Sequence, residues 1–254
     1  MTEPASSSMI AAELELGAGD WRMQVRLTVP AEAVPLRRML PLVQALADAV
    51  VDSAAQLSTQ NGQPISCKKG CGACCRQLVP ISAEEARNLR DLVAGLAEPR
   101  RSLMRARFAA AHARLHEAGL LHELQHSDAW TDASFTDLGM RYFRLGIACP
   151  FLEDESCSIY ADRPVTCREY LVTSPAEHCA DPSPESVRRV PLPMRVCMTL
   201  AEFHSEPSPG RYLLPVPLIL SLDESSARPE PPFQTGPTWL QTLLQPLAPA
   251  ADPP

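Results

Sequence analysis

A chain of 254 residues and 27.7 kDa can bury a substantial core, as one large domain or two small ones, and needs no disulfides merely to fold. A net charge of −7 and a pI near 5.4 argue against a nucleic-acid binder, which carries a basic face. No apolar run approaches the ~18 residues of a membrane span, and no basic segment followed by an apolar one opens the chain, so we expect a cytoplasmic protein without signal peptide or membrane contact.

Trp21, Met23, Val25, Leu27 and Val29 alternate with Arg22, Gln24, Arg26 and Thr28, the period of a half-buried strand. Ile10, Ala12, Leu14 and Leu16 repeat the pattern more weakly, and Gly17-Ala18-Gly19-Asp20 reads as the hairpin loop between them. The spacing then changes to three and four. Leu36, Met39, Leu40, Val43, Leu46, Val50, Ala54 and Leu57 line one face of a helix. Pro35 suits its first turn, Pro41 kinks it or marks its true start, and Asn61-Gly62 ends it.

Beyond a cysteine-rich loop, Ser82-Ala83-Glu84-Glu85 is a capping box. The helix it opens carries Leu89, Leu92, Val93 and Leu96 on one face and stops at Pro99. A second helix from about Ser102 to about Glu117 turns Leu103, Phe108, Ala111 and Leu115 inward. His112 and His116, four apart, have a spacing that can chelate a metal, with His122 and His126 further on. The run His-Ala-Arg-Leu-His lacks the glutamate of the metalloprotease pattern, so solvated positions are expected for all four. Residues 127–148 are mixed, with an aromatic pair at Tyr142 and Phe143.

Tyr212 to Leu220 is apolar but interrupted by Pro215 and Pro217, which predicts an extended segment at an edge. Pro237 opens a short amphipathic helix bearing Trp239, Leu240, Leu243, Leu244 and Leu247, expected to dock on the core, and Ala248 to Pro254 reads as disordered. These signals predict a mainly α, α+β fold in three parts. Residues 1–62 form a hairpin and helix packed on the core, 63–205 a cysteine-rich metal-binding module, and 206–254 a proline-rich extension.

Eight of the nine cysteines fall in two runs: Cys67, Cys71, Cys74 and Cys75 within nine residues, then Cys149, Cys157, Cys167 and Cys179. In a reducing compartment such clustering points to metal or catalysis rather than disulfides. Soft thiolates select zinc, copper(I) or iron–sulfur clusters, and structural zinc and iron–sulfur centres both take four cysteines. Gly70 and Gly72 let the loop curl around Cys71. Adjacent cysteines cannot readily ligate one tetrahedral ion from a regular backbone. Cys74-Cys75 therefore suggests two nearby metals, a multinuclear centre, or one ligand beside a supporting thiol. Eight thiols could fill two four-cysteine sites, or one site with structural or resolving thiols left over. The only lysines, Lys68 and Lys69, lie inside the first run, where their charge would favour thiolate.

The pattern Cys67-x3-Cys71-x2-Cys74-Cys75, Cys149-Pro150-Phe151-Leu152, Cys157-Ser158-Ile159-Tyr160, Arg163-Pro164-Val165-Thr166-Cys167-Arg168-Glu169-Tyr170 and Cys179 resembles the YkgJ-type cysteine cluster family of zinc- or iron-chelating domains, marked by eight cysteines. The likeness spans residues 67–179. It implies Cys67, Cys71, Cys74, Cys75, Cys149, Cys157, Cys167 and Cys179 as metal ligands and zinc or iron, including a 4Fe-4S cluster, as cofactor. It leaves Cys197 outside, although the loose spacing after Cys167 lets Cys197 compete with Cys179. Many members have two residues between the first cysteines where this chain has three. The related flagellin lysine methylases look like iron–sulfur enzymes, but nothing else in this chain matches that activity.

Two other classes compete. Cys67-x3-Cys71-x2-Cys74 has the spacing of radical S-adenosylmethionine enzymes, but strand–helix repeats and a Gly-Gly-Glu run are lacking. A thiol redox or metal sensor would use Cys74-Cys75 as reactive thiols. Around the second run, Arg163 and Arg168 are candidates to donate to metal-bound sulfurs or offset their charge. Ile159 and Tyr160 read as core, Glu169 as an arginine partner and His178 as a surface residue.

Overall fold

The computed structural model describes residues 8–183, 185–201, 213–221 and 230–245. Strands β1 (Met9–Ala18) and β2 (Trp21–Pro30) pair antiparallel, with Met9 opposite Pro30 and Ala18 opposite Trp21. The turn is Gly19-Asp20 alone, two residues shorter than the expected loop, and Gly19 takes a φ of 57°. As the alternation requires, Leu16 and Val29 are buried, and Ala12, Leu14, Trp21, Met23, Val25 and Leu27 pack on the same core.

After β3 (Ala33–Val34) a 3-10 turn over Leu36–Met39 feeds helix α1 (Leu40–Gln60). Pro41 therefore marks the helix start, where its missing N–H has no intrahelical partner to lose. Leu40, Val43, Leu46, Val50 and Ala54 face inward. Leu57 does not: it is exposed, and Ser58 turns inward instead, donating to the Gln63 carbonyl at 2.7 Å. Asn61 caps the C-terminus and Gly62 leaves it at a φ of 76°.

β4 (Pro80–Ile81) precedes α2 (Ala83–Ala94), whose Ser82–Glu85 capping box is formed in both directions. α3 (Arg100–Glu117) buries Met104, Phe108, Ala111 and Leu115, while Leu103, expected inside, is exposed. α4 (Leu121–Gln125) and α5 (Asp132–Arg144) follow; α5 opens on a Thr131–Ser134 capping box and buries Leu138 and Tyr142. The chain continues through β5 (Leu152–Glu153), β6 (Ser156–Cys157), α6 (Val165–Arg168) and α7 (Cys197–Ala201). It reaches β7 (Leu214–Pro215), β8 (Gln234–Thr235) and α8 (Gly236–Leu244). The long hairpin and three two-residue ladders, β3–β8, β4–β7 and β5–β6, are set among eight α-helices within the described residues, a mainly α, α+β fold.

Three apolar clusters hold these elements. The first joins the hairpin, α1 and α8, so the two ends of the chain close on one another. Trp239 is wholly buried there and donates to the Val34 carbonyl at 2.8 Å, which docks α8 on the core as its pattern predicts. Leu247 and Ala248–Pro254 lie outside the described residues, as does Tyr212. The second cluster joins α2, the start of α3, Phe151 and Ile159, and the third the end of α3, α4 and α5. The segment 213–221 is not an edge filler: Leu214, Val216 and Ile219 enter the second cluster and Leu218 the third. No described helix is long and apolar enough to cross a membrane.

Candidate metal centre

The first cysteine run hangs between α1 and β4 and is pinned to the second by its own backbone. The Ser66 N–H donates to the Val172 carbonyl at 3.0 Å, and the Val172 N–H points back at the Cys67 sulfur at 3.4 Å. Gly70, at a φ of 85°, reverses the chain before Cys71. A 3-10 turn, Ala73–Arg76, then presents Cys74 and Cys75 and packs on a second such turn, Ala176–Ala180, which carries Cys179. The Cys149 N–H donates to the Cys75 carbonyl at 2.7 Å.

Cys157 sits on β6, paired with Leu152 of β5 across the turn Asp154-Glu155. Both turn residues have positive φ, 48° and 54°, the requirement of a two-residue hairpin turn of the I′ type. That turn lies directly on the first run. A Cβ at Gly72 would meet Glu155 Oε2 at 2.5 Å and Leu152 Cδ1 at 2.8 Å, so any other residue has to push both side chains aside. Arg76 closes the contact by donating to both Glu155 carboxylate oxygens, at 2.9 and 2.6 Å.

Cys167 lies on the short helix α6, which is held from both ends. At its start the Val165 N–H donates to Oε1 of Glu85, at 2.8 Å; the same buried carboxylate closes the capping box of α2. At its end Arg168 is buried and donates to Asp48 Oδ2 at 2.6 Å, to the Arg163 carbonyl at 3.0 Å and to the Ala161 carbonyl. Arg168 is thus a clamp between α6 and α1, hydrogen-bonded to no sulfur.

The thiols form two neighbourhoods that meet at Cys74. In one, Cys67 and Cys179 are pushed up first by burial and then by the negative charge of neighbours: Cys71 and Cys74 act on both, and Cys67 also acts on Cys179. In the other, burial pushes Cys149 up to about 12 and also raises Cys157 and Cys167; Cys74 acts on all three. Cys74 itself is held well above the ordinary thiol range, first by its hydrogen bond with Cys75 and then by burial. Arg163 opposes this at Cys74 and Cys157, joined by Arg168 at Cys157, and the Tyr170 hydroxyl favours the Cys179 thiolate. Left to themselves these sulfurs stay protonated. A cation that trades places with their protons reverses the balance.

All nine cysteines are free thiols. Among the described residues, no three His, Cys, Asp or Glu side chains already converge as a finished metal cage. Free thiols in two runs are nonetheless the chemistry a soft metal takes, and two polar atoms of the second run, Ser158 Oγ and Arg163 Nε, are buried with no hydrogen-bond partner.

Other expected residues fall elsewhere. Cys197, at the start of α7, is raised to about 12 by burial and the Glu169 charge; its charged neighbours are Glu169 and Arg195. Glu169 is buried and pairs with Arg195 at 2.8 Å, as an arginine partner should. Tyr160, expected in the core, is 64% exposed, its ring under the Arg163 guanidinium at 4.1 Å. His116, His122, His126 and His178 are exposed and His112 half-buried. Lys68 and Lys69 are exposed on the first loop, and the cations acting on Cys74 and Cys157 are arginines. Gly72 was read as freedom for the loop to curl, but its φ is −92° and it instead makes room for Glu155 and Leu152. Arg76, Glu155 and Glu85 had no metal signature in the sequence. Only the Glu85 cap was visible there, and its second bond joins residues 80 positions apart.

Residues 66–184 match the model of a family described as "Putative zinc- or iron-chelating domain". No curated protein and no solved structure matches this chain.

Proposed function

We propose that this chain, a member of the CxxCxxCC family over residues 66–184, chelates zinc or iron through eight thiolates set in two adjoining centres. Cys67, Cys71 and Cys179 contribute to one with Cys75; Cys149, Cys157 and Cys167 contribute to the other with Cys74. The observation that carries this reading is the position of Cys74, whose charge reaches both sets. Successive side chains leave a 3-10 turn about a third of a turn apart, so once metal replaces the proton shared between Cys74 and Cys75 the two sulfurs serve different centres more readily than the same one. Bound zinc or iron would supply the positive charge that keeps the sulfurs deprotonated. The working unit is residues 63–205, and its role is to hold metal.

The test is to purify the full chain anaerobically, then measure zinc, iron and acid-labile sulfide per chain together with the visible spectrum. Two zinc ions on a colourless protein, or iron and sulfide amounting to two clusters per chain with a broad visible sulfur-to-iron band, support two thiolate centres. One metal ion or one cluster per chain overturns the two-centre arrangement. No bound metal, and none taken up on reconstitution, overturns chelation itself.

A further inference from the structure

We infer that Arg163 is the cation that offsets the thiolate charge of the centre containing Cys74 and Cys157, so that it sets metal affinity without touching the metal. This rests on the chelation reading above. Four thiolates around a divalent ion leave a net charge of about −2, and groups that donate to metal-bound sulfurs tune how tightly the ion is held.

Three other arginines near the cysteine runs are spent. Arg168 gives its donors to Asp48 and two carbonyls, Arg76 to Glu155 and the Gly72 carbonyl, and Arg195 to Glu169 and the Cys197 sulfur. Arg163 differs. No ion pair to a carboxylate is formed by its guanidinium among the described residues, and its Nε is buried without an acceptor. A buried donor with no acceptor is costly unless something else in the site uses it. The sulfurs of Cys74 and Cys157 are near enough to feel its charge.

The surroundings fix this guanidinium in place. Its own carbonyl accepts from Arg168 Nε at 3.0 Å, and Pro164 restricts the backbone that follows. The Tyr160 ring lies under the cation, at 4.1 Å. That accounts for a tyrosine left largely in solvent: it is a platform for Arg163, not a core residue.

The experiment uses the full chain as wild type, Arg163→Met and Arg163→Lys. Zinc affinity is read by competition with a chelator, and cobalt(II) substitution reports the thiolate ligand set through its absorption bands. Arg163→Met should bind zinc about 10- to 100-fold more weakly, the range for loss of an outer-shell partner, with cobalt bands of unchanged shape and intensity per bound ion. Arg163→Lys keeps the charge and should stay within a few-fold of wild type. Wild-type affinity in Arg163→Met overturns the inference and leaves chelation standing. Equal losses in both variants overturn it too, because packing rather than charge would then matter. A wild type that binds no zinc or cobalt removes chelation and this inference together. Should Arg163→Met fail to fold, Tyr160→Leu at the exposed ring releases the guanidinium; weaker zinc binding supports the inference and wild-type affinity overturns it.

Discussion

Gly72 occupies a point where two cysteine runs touch, and a methyl group there would have to displace its neighbours. Its Cβ would press on Glu155 Oε2, on Leu152 Cδ1 and, at 3.2 Å, on the Glu155 Cα. The carboxylate cannot swing aside freely because Arg76 holds both its oxygens, and the backbone atom cannot move without reshaping the I′ turn. Gly72→Ala should therefore cost about 1–3 kcal/mol, as overpacking does, and lower metal content with it. Thermal unfolding and metal analysis of the variant check this; wild-type values in both would mean the runs do not dock here. The ligands make a complementary case. On the proposed two-centre arrangement, Cys71→Ser and Cys167→Ser each remove one sulfur from a different centre, so each should lose about half the bound metal and unfold at lower temperature, since site and fold form together. Cys197→Ser should keep all its metal, because that thiol lies with Glu169 and Arg195 rather than with the other cysteines. Full occupancy in Cys71→Ser and Cys167→Ser would refute the ligand assignment.

At the scale of elements, local signals were readable and long-range ones were not. The period-two alternation of β2 and the three–four spacing of α1 come from burial of one face, which a single stretch of sequence records. The Ser82–Glu85 box was equally local. Leu57 and Leu103 fit the helical period yet are exposed, because no neighbouring element covers those turns. Helix α5 was hidden in a mixed stretch: only Leu138 and Tyr142 are buried along it, too few to show a period. The cysteines themselves were legible as chemistry. What brings the runs together was not, because Glu85–Val165, Arg168–Asp48 and Arg76–Glu155 join positions 79 to 120 apart and each residue has a blander reading on its own. The C-terminal helix α8 gives a clean test of such a contact. Trp239→Phe keeps most of the buried ring but leaves the Val34 carbonyl without this donor, which should cost about 1–2 kcal/mol. Trp239→Ala opens a cavity in the same cluster and should cost about 3–5 kcal/mol. Chemical denaturation of both variants measures the order; equal and small losses would mean that α8 is not docked.

Across the whole molecule, apolar packing and the cysteine runs divide the task of holding the chain together. The hairpin, α1 and α8 share a cluster that contains no cysteine among its buried members, so its stability comes from packing and hydrogen bonds that need no metal. The cysteine runs are different. They are loops, short turns and a four-residue helix, held by hydrogen bonds and a few ion pairs such as Arg76–Glu155 and Arg168–Asp48, and Cys149 and Cys157 only border the second apolar cluster. Segments of that kind open at low free-energy cost unless something else ties them. If eight thiolates bind metal, most of the order of these loops is metal-binding free energy. Stripping the metal with a chelator under reducing conditions should then raise amide exchange strongly over residues 66–80 and 149–180. Exchange in β1, β2 and α1 should stay slow. The link between the two parts is Val165, which sits in the first cluster two residues before Cys167 and binds Glu85 through its N–H. Amides of α6 should consequently show intermediate protection. Hydrogen exchange read by mass spectrometry, with and without chelator, distinguishes this from its alternatives. Uniform loss across the chain would make the whole fold metal-dependent, and no change in the cysteine runs would mean that packing already holds them without a metal.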